Sequence, residues 1–230
     1  MINLILFLPN FAGNLIRRMT NFIPIFPLAV IVYPGQQLNL HIFEPRYRQL
    51  IQESVSKNKP FGIPAVIRNE LKDMGTLVEV TAIRQTYEDG KMDISTRGLK
   101  VFRVLEFIKE IPDKLYSGAI VNYPDNISDG KPVRMQKIIA GMKELHQLLQ
   151  VSKDLKKPES DWNAYDMAPH LGLTPDEEFE LLSLLKESQR QEYLTRHLKK
   201  VLPVLSKMES LKEKIRMNGH FRSLDSFQFE

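Results

Sequence analysis

The sequence predicts an α+β protein, a small β-barrel followed by an α-helical bundle that ends in a long helix. Three observations lead there. Between residues 22 and 124, short apolar runs of β-formers follow one another, punctuated by proline and glycine, with one helical stretch among them. Composition changes at the turn-rich run Pro124-Asp125-Asn126 through Gly130-Lys131-Pro132. Beyond it, apolar residues recur every three or four positions behind helix-capping signals.

Taken in order, residues 22–28 and 30–33 are apolar strands broken by Pro24, Pro27 and Pro34, which suits edge positions or bends. Pro34-Gly35 is a turn. Leu38-Asn39-Leu40-His41-Ile42-Phe43 alternates as a strand with one buried face, and Glu44-Pro45-Arg46-Tyr47 opens a helix with proline where a missing N–H costs nothing. That helix is expected over 47–57, carrying Tyr47, Leu50, Ile51 and Val55 on one face. Residues 61–67 and 77–86 are further strands. Asp89-Gly90, between 83–87 and 92–95, predicts a hairpin with a type I′ turn. Strands at 101–108 and 116–123 bring the total to six or seven. A closed or nearly closed barrel buries so many short strands without long unpaired edges.

A β-barrel domain is therefore expected over 20–124, a linker over 125–132 and a helical bundle over 133–219. In the bundle, Met135, Ile138, Met142, Leu145 and Leu149 form one apolar stripe, and 153–160 is a polar loop. Thr174-Pro175-Asp176-Glu177 is a capping box with proline at the first helical position. Ser188 with Gln191 repeats the pattern and opens the last helix. There Leu194, Leu198, Val201, Leu205 and Met208 keep the four-three spacing of a coiled-coil seam, Pro203 is expected to kink the helix and Asn218-Gly219 to stop it. Residues 220–230 are a tail. Residues 1–19 read as a disordered leader, with a reversible membrane-surface contact and an upstream start codon as the other readings. The apolar run at 2–8 is too short to span a bilayer, and Arg17-Arg18 follow it, opposite to the order in a signal peptide.

The run from Phe26-Pro27-Leu28 to Tyr47 resembles the amino-terminal substrate-recognition domain of Lon proteases. Met74-Gly75-Thr76-Leu77, Glu88-Asp89-Gly90 and Arg97-Gly98-Leu99 follow in that family's order and at similar spacing. The resemblance covers about residues 22–217. It implies a PUA-like barrel, a helical bundle and a long helix that in Lon leads to the ATPase. This chain ends where that ATPase would start, so the resemblance implies recognition without motor or protease.

The composition excludes several chemistries. With no cysteine among 230 residues there is no disulfide framework, thiolate metal site or cysteine nucleophile, which leans toward a reducing cytoplasm. Gly130-Lys131-Pro132 lacks the glycine spacing of a phosphate loop, and nothing resembles the Lon proteolytic domain. His41, His146, His170, His197 and His220 form no close ligand pair, so no metal and no cofactor are expected. Pro34, Gly35, Glu44, Pro45, Arg46, Arg97 and Gly98 read as scaffold. Glu44 and Arg46 form an ion pair at the helix start in preference to gripping a peptide, Gly98 allows a close approach, and Arg97 bonds neighbouring carbonyls.

The function implied by the resemblance is non-catalytic binding of unfolded or damaged polypeptides, handed to a separate protease or chaperone or merely held. A crevice between barrel and bundle would have Ile42, Phe43, Tyr47 and Phe61 as walls, with burial in the core as the favoured fate of each, or an extended peptide would pair with a barrel edge. The alternative is an RNA-binding PUA-like protein using the last helix, which carries ten basic residues against four acidic ones between Lys186 and Arg222. The formal charge of +4 and the poor aromatic interleaving argue against nucleic acid. Self-association through the Leu194–Met208 seam is a third reading; no transmembrane segment is expected.

Overall fold

The computed structural model describes residues 21–151 and 158–224. The expected leader, residues 153–157 of the polar loop and residues 225–230 of the tail lie outside the described residues.

The first half contains β1 (Asn21–Pro24), β2 (Gln37–Ile42), α1 (Pro45–Ser56), β3 (Phe61–Ile67), β4 (Glu70–Thr86), β5 (Met92–Ile108) and β6 (Gly118–Asn122). The six strands form one antiparallel sheet in the order β1-β6-β5-β4-β3, and β2 pairs separately with the front of β5. Just beyond β1 the chain turns onto β3. Ile25 and Leu28 make parallel bridges to Gly62 and Ala65, with Phe26 N–H donating to the Gly62 carbonyl at 2.8 Å and Val66 N–H to the Leu28 carbonyl at 3.0 Å. These contacts bring the two ends of the sheet together and close the barrel, and β2 with the distal halves of β4 and β5 forms an arm whose Ile42, Met92 and Ile94 are buried in the same core as Phe61 and Ile63.

Several elements differ from expectation. Residues 30–33 form no strand; Ile31, Val32 and Tyr33 are buried in irregular backbone instead. β5 is one strand of 17 residues where two were expected, because Gly98 sits inside the ladder and does not break it. The Asp89-Gly90 turn is not type I′. Gly90 N–H donates to the Tyr87 carbonyl at 2.9 Å and only Gly90 has positive φ, the pattern of a type I turn closed by a left-handed glycine bulge. On α1, Ser54 and not Val55 completes the buried face with Tyr47, Leu50 and Ile51, since it lies one heptad from Tyr47.

The second half contains α2 (Pro132–Leu148), α3 (Ala164–Met167), α4 (Pro175–Ser183) and α5 (Glu187–Leu224), with single 3-10 turns at Glu159–Asp161 and Ala168–His170. Of the expected α2 stripe, Met135, Ile138, Met142 and Leu145 are buried, while Leu149, just past the helix end, is half exposed. The capping box at Thr174 forms as the sequence predicts: Glu177 N–H donates to the Thr174 hydroxyl and Thr174 N–H returns to the Glu177 carboxylate at 2.9 Å. One apolar core runs from the helices into the barrel, joining Met142, Leu171 and Leu198 to Tyr33, Met74 and Val101.

α5 departs from expectation at its start and further along. Ser188 is not the cap; the Lys186 carbonyl accepts the first helical N–H groups. Ser188 donates its N–H and hydroxyl to the Asp129 carboxylate, both at 2.8 Å, and these bonds hold that carboxyl below its usual range. Gln191 takes the Lys131 N–H at 2.9 Å. The orphan donors of the helix start are thus met by residues 125–131. Pro203 lies inside the helix, which continues past the expected stop at Asn218-Gly219 to Leu224.

Candidate functional site

The two motifs that stand out in the sequence meet in space. Tyr33-Pro34-Gly35-Gln36 is a type II turn, with Gln36 N–H bonded to the Tyr33 carbonyl at 3.1 Å and Gly35 at φ +84°. Gly35 N–H donates to the Gly98 carbonyl and Gly98 N–H to the Gln36 carbonyl, each at 2.9 Å. A Cβ on Gly98 would fall on the Tyr33 carbonyl. Arg97, expected on carbonyls, instead pairs with the Glu79 carboxylate across the β4–β5 ladder, at 2.6 Å.

This turn is also where the barrel touches the helices. The Tyr33 ring stacks on Tyr165 of α3 with centroids 5.1 Å apart, and its hydroxyl donates to the Glu178 carbonyl of α4 at 3.2 Å. Burial pushes the Tyr33 hydroxyl far above the ordinary phenol value. Behind Tyr165 lies a buried ion pair, Arg190 Nε to Glu187 at 2.9 Å, with Arg190 also 4.2 Å from the Tyr165 ring centroid. Arg190 further donates to the Asn126 side chain and the Leu184 carbonyl, both at 2.8 Å, and Glu187 accepts the Ala164 N–H at 2.8 Å. Sequence reasoning missed this hub: Glu187 and Arg190 read as ordinary surface charges of a basic helix, and only burial separates them from the rest.

A crevice of about 500 Å³ opens beside the hub. Pro34 is the barrel's contribution; the linker and helices supply the other walls, including Ser128, Gln136, Ile139 and Trp162. None of the four expected wall residues reaches it. Ile42, Tyr47 and Phe61 are buried in the barrel core, Tyr47 stacked on Phe26 at 3.8 Å, and present no surface to a ligand. Phe43 alone is exposed. Glu44 and Arg46 are ion-paired to each other at 2.7 Å, Pro45 sits at the first turn of α1, and the Arg46 guanidinium lies 4.5 Å from the Tyr47 ring centroid.

The barrel arm offers a second surface. Among the described residues β2 pairs with no strand but β5, in unbroken register from Gln37↔Arg97 to Ile42↔Met92. Two bonds set the parity of that ladder. Gly98 N–H donates to the Gln36 carbonyl, and the Ser95 carbonyl faces away toward Thr81 at 3.0 Å. Even-numbered residues of β2 therefore bond β5, and Gln37, Asn39 and His41 turn their N–H and C=O groups to the open side. The distal half of β4, on the other side of the arm, is broken by register shifts at Val80/Ala82 and Ile83/Gln85. Bulges of that kind blunt an edge; β2 has none.

Side chains around the open edge suit apolar partners. Leu38 and Leu40 are partly buried on the barrel core. At the end of the strand the Phe43 and His41 rings stack with centroids 6.2 Å apart, and His41 meets the edge of Tyr87 at 5.8 Å. Asp93 fixes this cluster by accepting from the Tyr87 hydroxyl and contacting His41 Nδ1, each at 2.7 Å; the two bonds hold the Asp93 carboxyl below its usual range. Among the described residues no group of three or more His, Asp or Glu is placed to hold a metal ion, and no helix is long and apolar enough to cross a membrane.

This fold, a barrel followed by helices that share its core, is similar to that of two solved Lon amino-terminal domains. The crystal structure of a Lon N-terminal domain protein from Xanthomonas campestris superposes with a TM-score of 0.59 at 22% identity, covering 76% of this chain and 98% of that one. The N-terminal domain of the Mycobacterium avium complex Lon protease gives 0.56 at 14% identity, covering 79% and 100%. At such identities the likeness establishes the fold. The sequence profile of the ATP-dependent protease La (LON) substrate-binding domain matches residues 23–200, and the chain belongs to this family. The matched domain is a substrate-binding and not a catalytic one. A stretch of 110 residues, 46% of the chain, is also 27% identical to protein cereblon of Gallus gallus, of which it spans 24%.

Proposed function

We propose that this protein binds extended, apolar segments of unfolded or damaged polypeptides by adding them as a strand to the open edge of β2. The observation that carries this is the regular edge, unpaired among the described residues, with Leu38 and Leu40 half-covered beside it and Phe43 at its end. Main-chain bonds contribute about 1 kcal/mol each and ordering a residue costs about as much, so the backbone alone gives little net affinity. Selectivity then comes from covering Leu38, Leu40 and Phe43, which favours apolar side chains in alternate positions without specifying a sequence. Binding is weak and sequence-tolerant, the behaviour a collector of exposed apolar segments needs. The protein performs no chemistry on its client, works in the reducing cytoplasm and passes the client to a separate protease or chaperone.

The test is fluorescence anisotropy of a labelled, permanently unfolded polypeptide at low and high salt, beside a labelled RNA. Asn39→Pro removes an outward N–H that the β5 ladder does not use, whereas Asn39→Ala removes only the side chain that accepts from Ser95 at 2.7 Å. The expected result is saturable, salt-tolerant polypeptide binding that survives Asn39→Ala, is abolished by Asn39→Pro and is weakened by Phe43→Ala without loss of fold. Undiminished binding by folded Asn39→Pro, or salt-sensitive binding of RNA alone, would overturn it.

A further inference from the structure

α2 and α5 run parallel. Lys131 N–H meets Gln191, Arg134 pairs with Glu192 at 3.2 Å, and Gly141 packs on Leu198, so partners climb together and α2 runs out beside Leu205. Up to that point the four-three seam of α5 is an internal one, with Leu194 and Leu198 buried and Val201 and Leu205 packed against the same core. Continued in that register the seam would place Lys212 after Met208, so the apolar row beyond it is a different one, turned by roughly 80° about the helix axis. Val204, Met208, Leu211 and Ile215 repeat at four, three and four residues and are each more than half exposed. They make a stripe about 17 Å long on a helix with no neighbour along it among the described residues.

The charges beside this stripe say what kind of surface it fits. At 100° per residue, Lys207 and Lys214 line one flank, and Lys212 and Arg216 the other. Lys207 and Lys214 make no ion pair among the described residues; Lys212 bonds Glu209 at 3.1 Å. A second copy packed on this stripe, parallel or antiparallel, would bring lysine against lysine on its flanks. An anionic membrane would meet Glu209 and Glu213 on the same turns, and the stripe carries none of the aromatic residues that anchor interfacial helices. Phosphate recognition would have no use for the apolar row between the cations.

We propose that the distal half of α5 docks an amphipathic helix of acidic flank: apolar at heptad positions facing Val204, Met208, Leu211 and Ile215, with glutamate or aspartate facing Lys207, Lys212 and Lys214. The incoming helix lies on a face of α5 next to the one that α2 occupies closer to the barrel. This surface lies on a different element from the β2 edge, so a helical partner and an extended client are separate ligands.

The probe is a labelled synthetic peptide of about three heptads with leucine at the seam and glutamate on both flanks, compared with its lysine-flanked counterpart, titrated by anisotropy into the full chain. The acidic peptide is expected to bind, less tightly at high salt, and the basic one not. Lys207→Glu/Lys214→Glu is expected to weaken the acidic peptide by roughly tenfold or more and to admit the basic one, because reversing flank charges reverses coiled-coil partner choice. Leu211→Asp, at an exposed position that leaves the fold intact, is expected to abolish binding of the acidic peptide to the parent chain. Equal affinity for both peptides or no affinity for either, a chain that sediments as a dimer dissociated by Leu211→Asp, or engagement of anionic vesicles or RNA alone, would each overturn the proposal.

Discussion

Replacing Arg190 by methionine tests whether the buried hub holds the helices to the barrel. The Arg190 and Glu187 side chains are 4% and 8% exposed, so the substitution leaves a carboxylate inside the protein without its counter-charge. It also removes the donor at 2.8 Å from the Leu184 carbonyl and the cation over Tyr165. Breaking such a pair from one side costs about 3–5 kcal/mol. Glu187 keeps the Ala164 N–H, which places the expected loss near the lower end, about 3 kcal/mol. For a chain of this size that is a fall in Tm of roughly 6–12 °C. Glu187→Gln should cost about 2 kcal/mol, since the amide still accepts from Ala164. In the double variant no buried charge is left unpaired, so its loss should fall short of the sum of the single losses by about 2 kcal/mol. Urea denaturation and thermal melts followed by circular dichroism measure all three. A loss under about 1 kcal/mol for Arg190→Met, or a strictly additive cycle, would show that the pair is hydrated and does no structural work.

Gly98→Ala should cost about 2–3 kcal/mol, because the added Cβ lands on the Tyr33 carbonyl inside a turn tied by two more backbone bonds; an unchanged urea midpoint would mean the turn can move aside freely. Glu53, bonded by Lys114 at 2.7 Å, Lys57 at 2.8 Å and the Tyr116 hydroxyl at 3.1 Å, has its carboxyl drawn down from the ordinary 4.5 to about 2. Its folded value lies below its unfolded one. Its stabilisation is therefore complete above 4.5 and disappears as pH falls toward about 2. Glu53→Gln should lower stability at neutral pH and flatten the acid limb across that window, and acid limbs of equal slope in the two proteins would count against the assignment.

Most of the architecture was legible in the residues because it is written locally. Pro34-Gly35 announces a turn, Thr174-Pro175-Asp176-Glu177 a helix start, and the alternation at 38–42 a strand with one covered face. Where expectation failed, a long-range contact had overruled a local signal. Gly98, expected to allow a close approach, does so to the Tyr33 turn, but from the middle of one strand where two were expected. Ser188 looked like a cap and is itself capped, by Asp129 from 59 residues away. Ile42, Tyr47 and Phe61 were readable as crevice walls or as core, and the closed barrel took them as its interior. Phe43, next in sequence to Ile42, points outward because a strand alternates and this one ends there.

Hydrophobic period, turn chemistry and capping depend on neighbours within a few residues, so the sequence by itself determined the β-then-α order, the helix starts at Pro45 and Pro175 and the seam along α5. Which edge stays open, which charges are buried and where α5 outruns α2 depend on distances between residues far apart in the chain. Only the tertiary structure decided those, because burial and pairing are properties of two surfaces at once: the sequence of β2 says that it is a strand, and only the structure shows that among the described residues β5 is the one strand it pairs with.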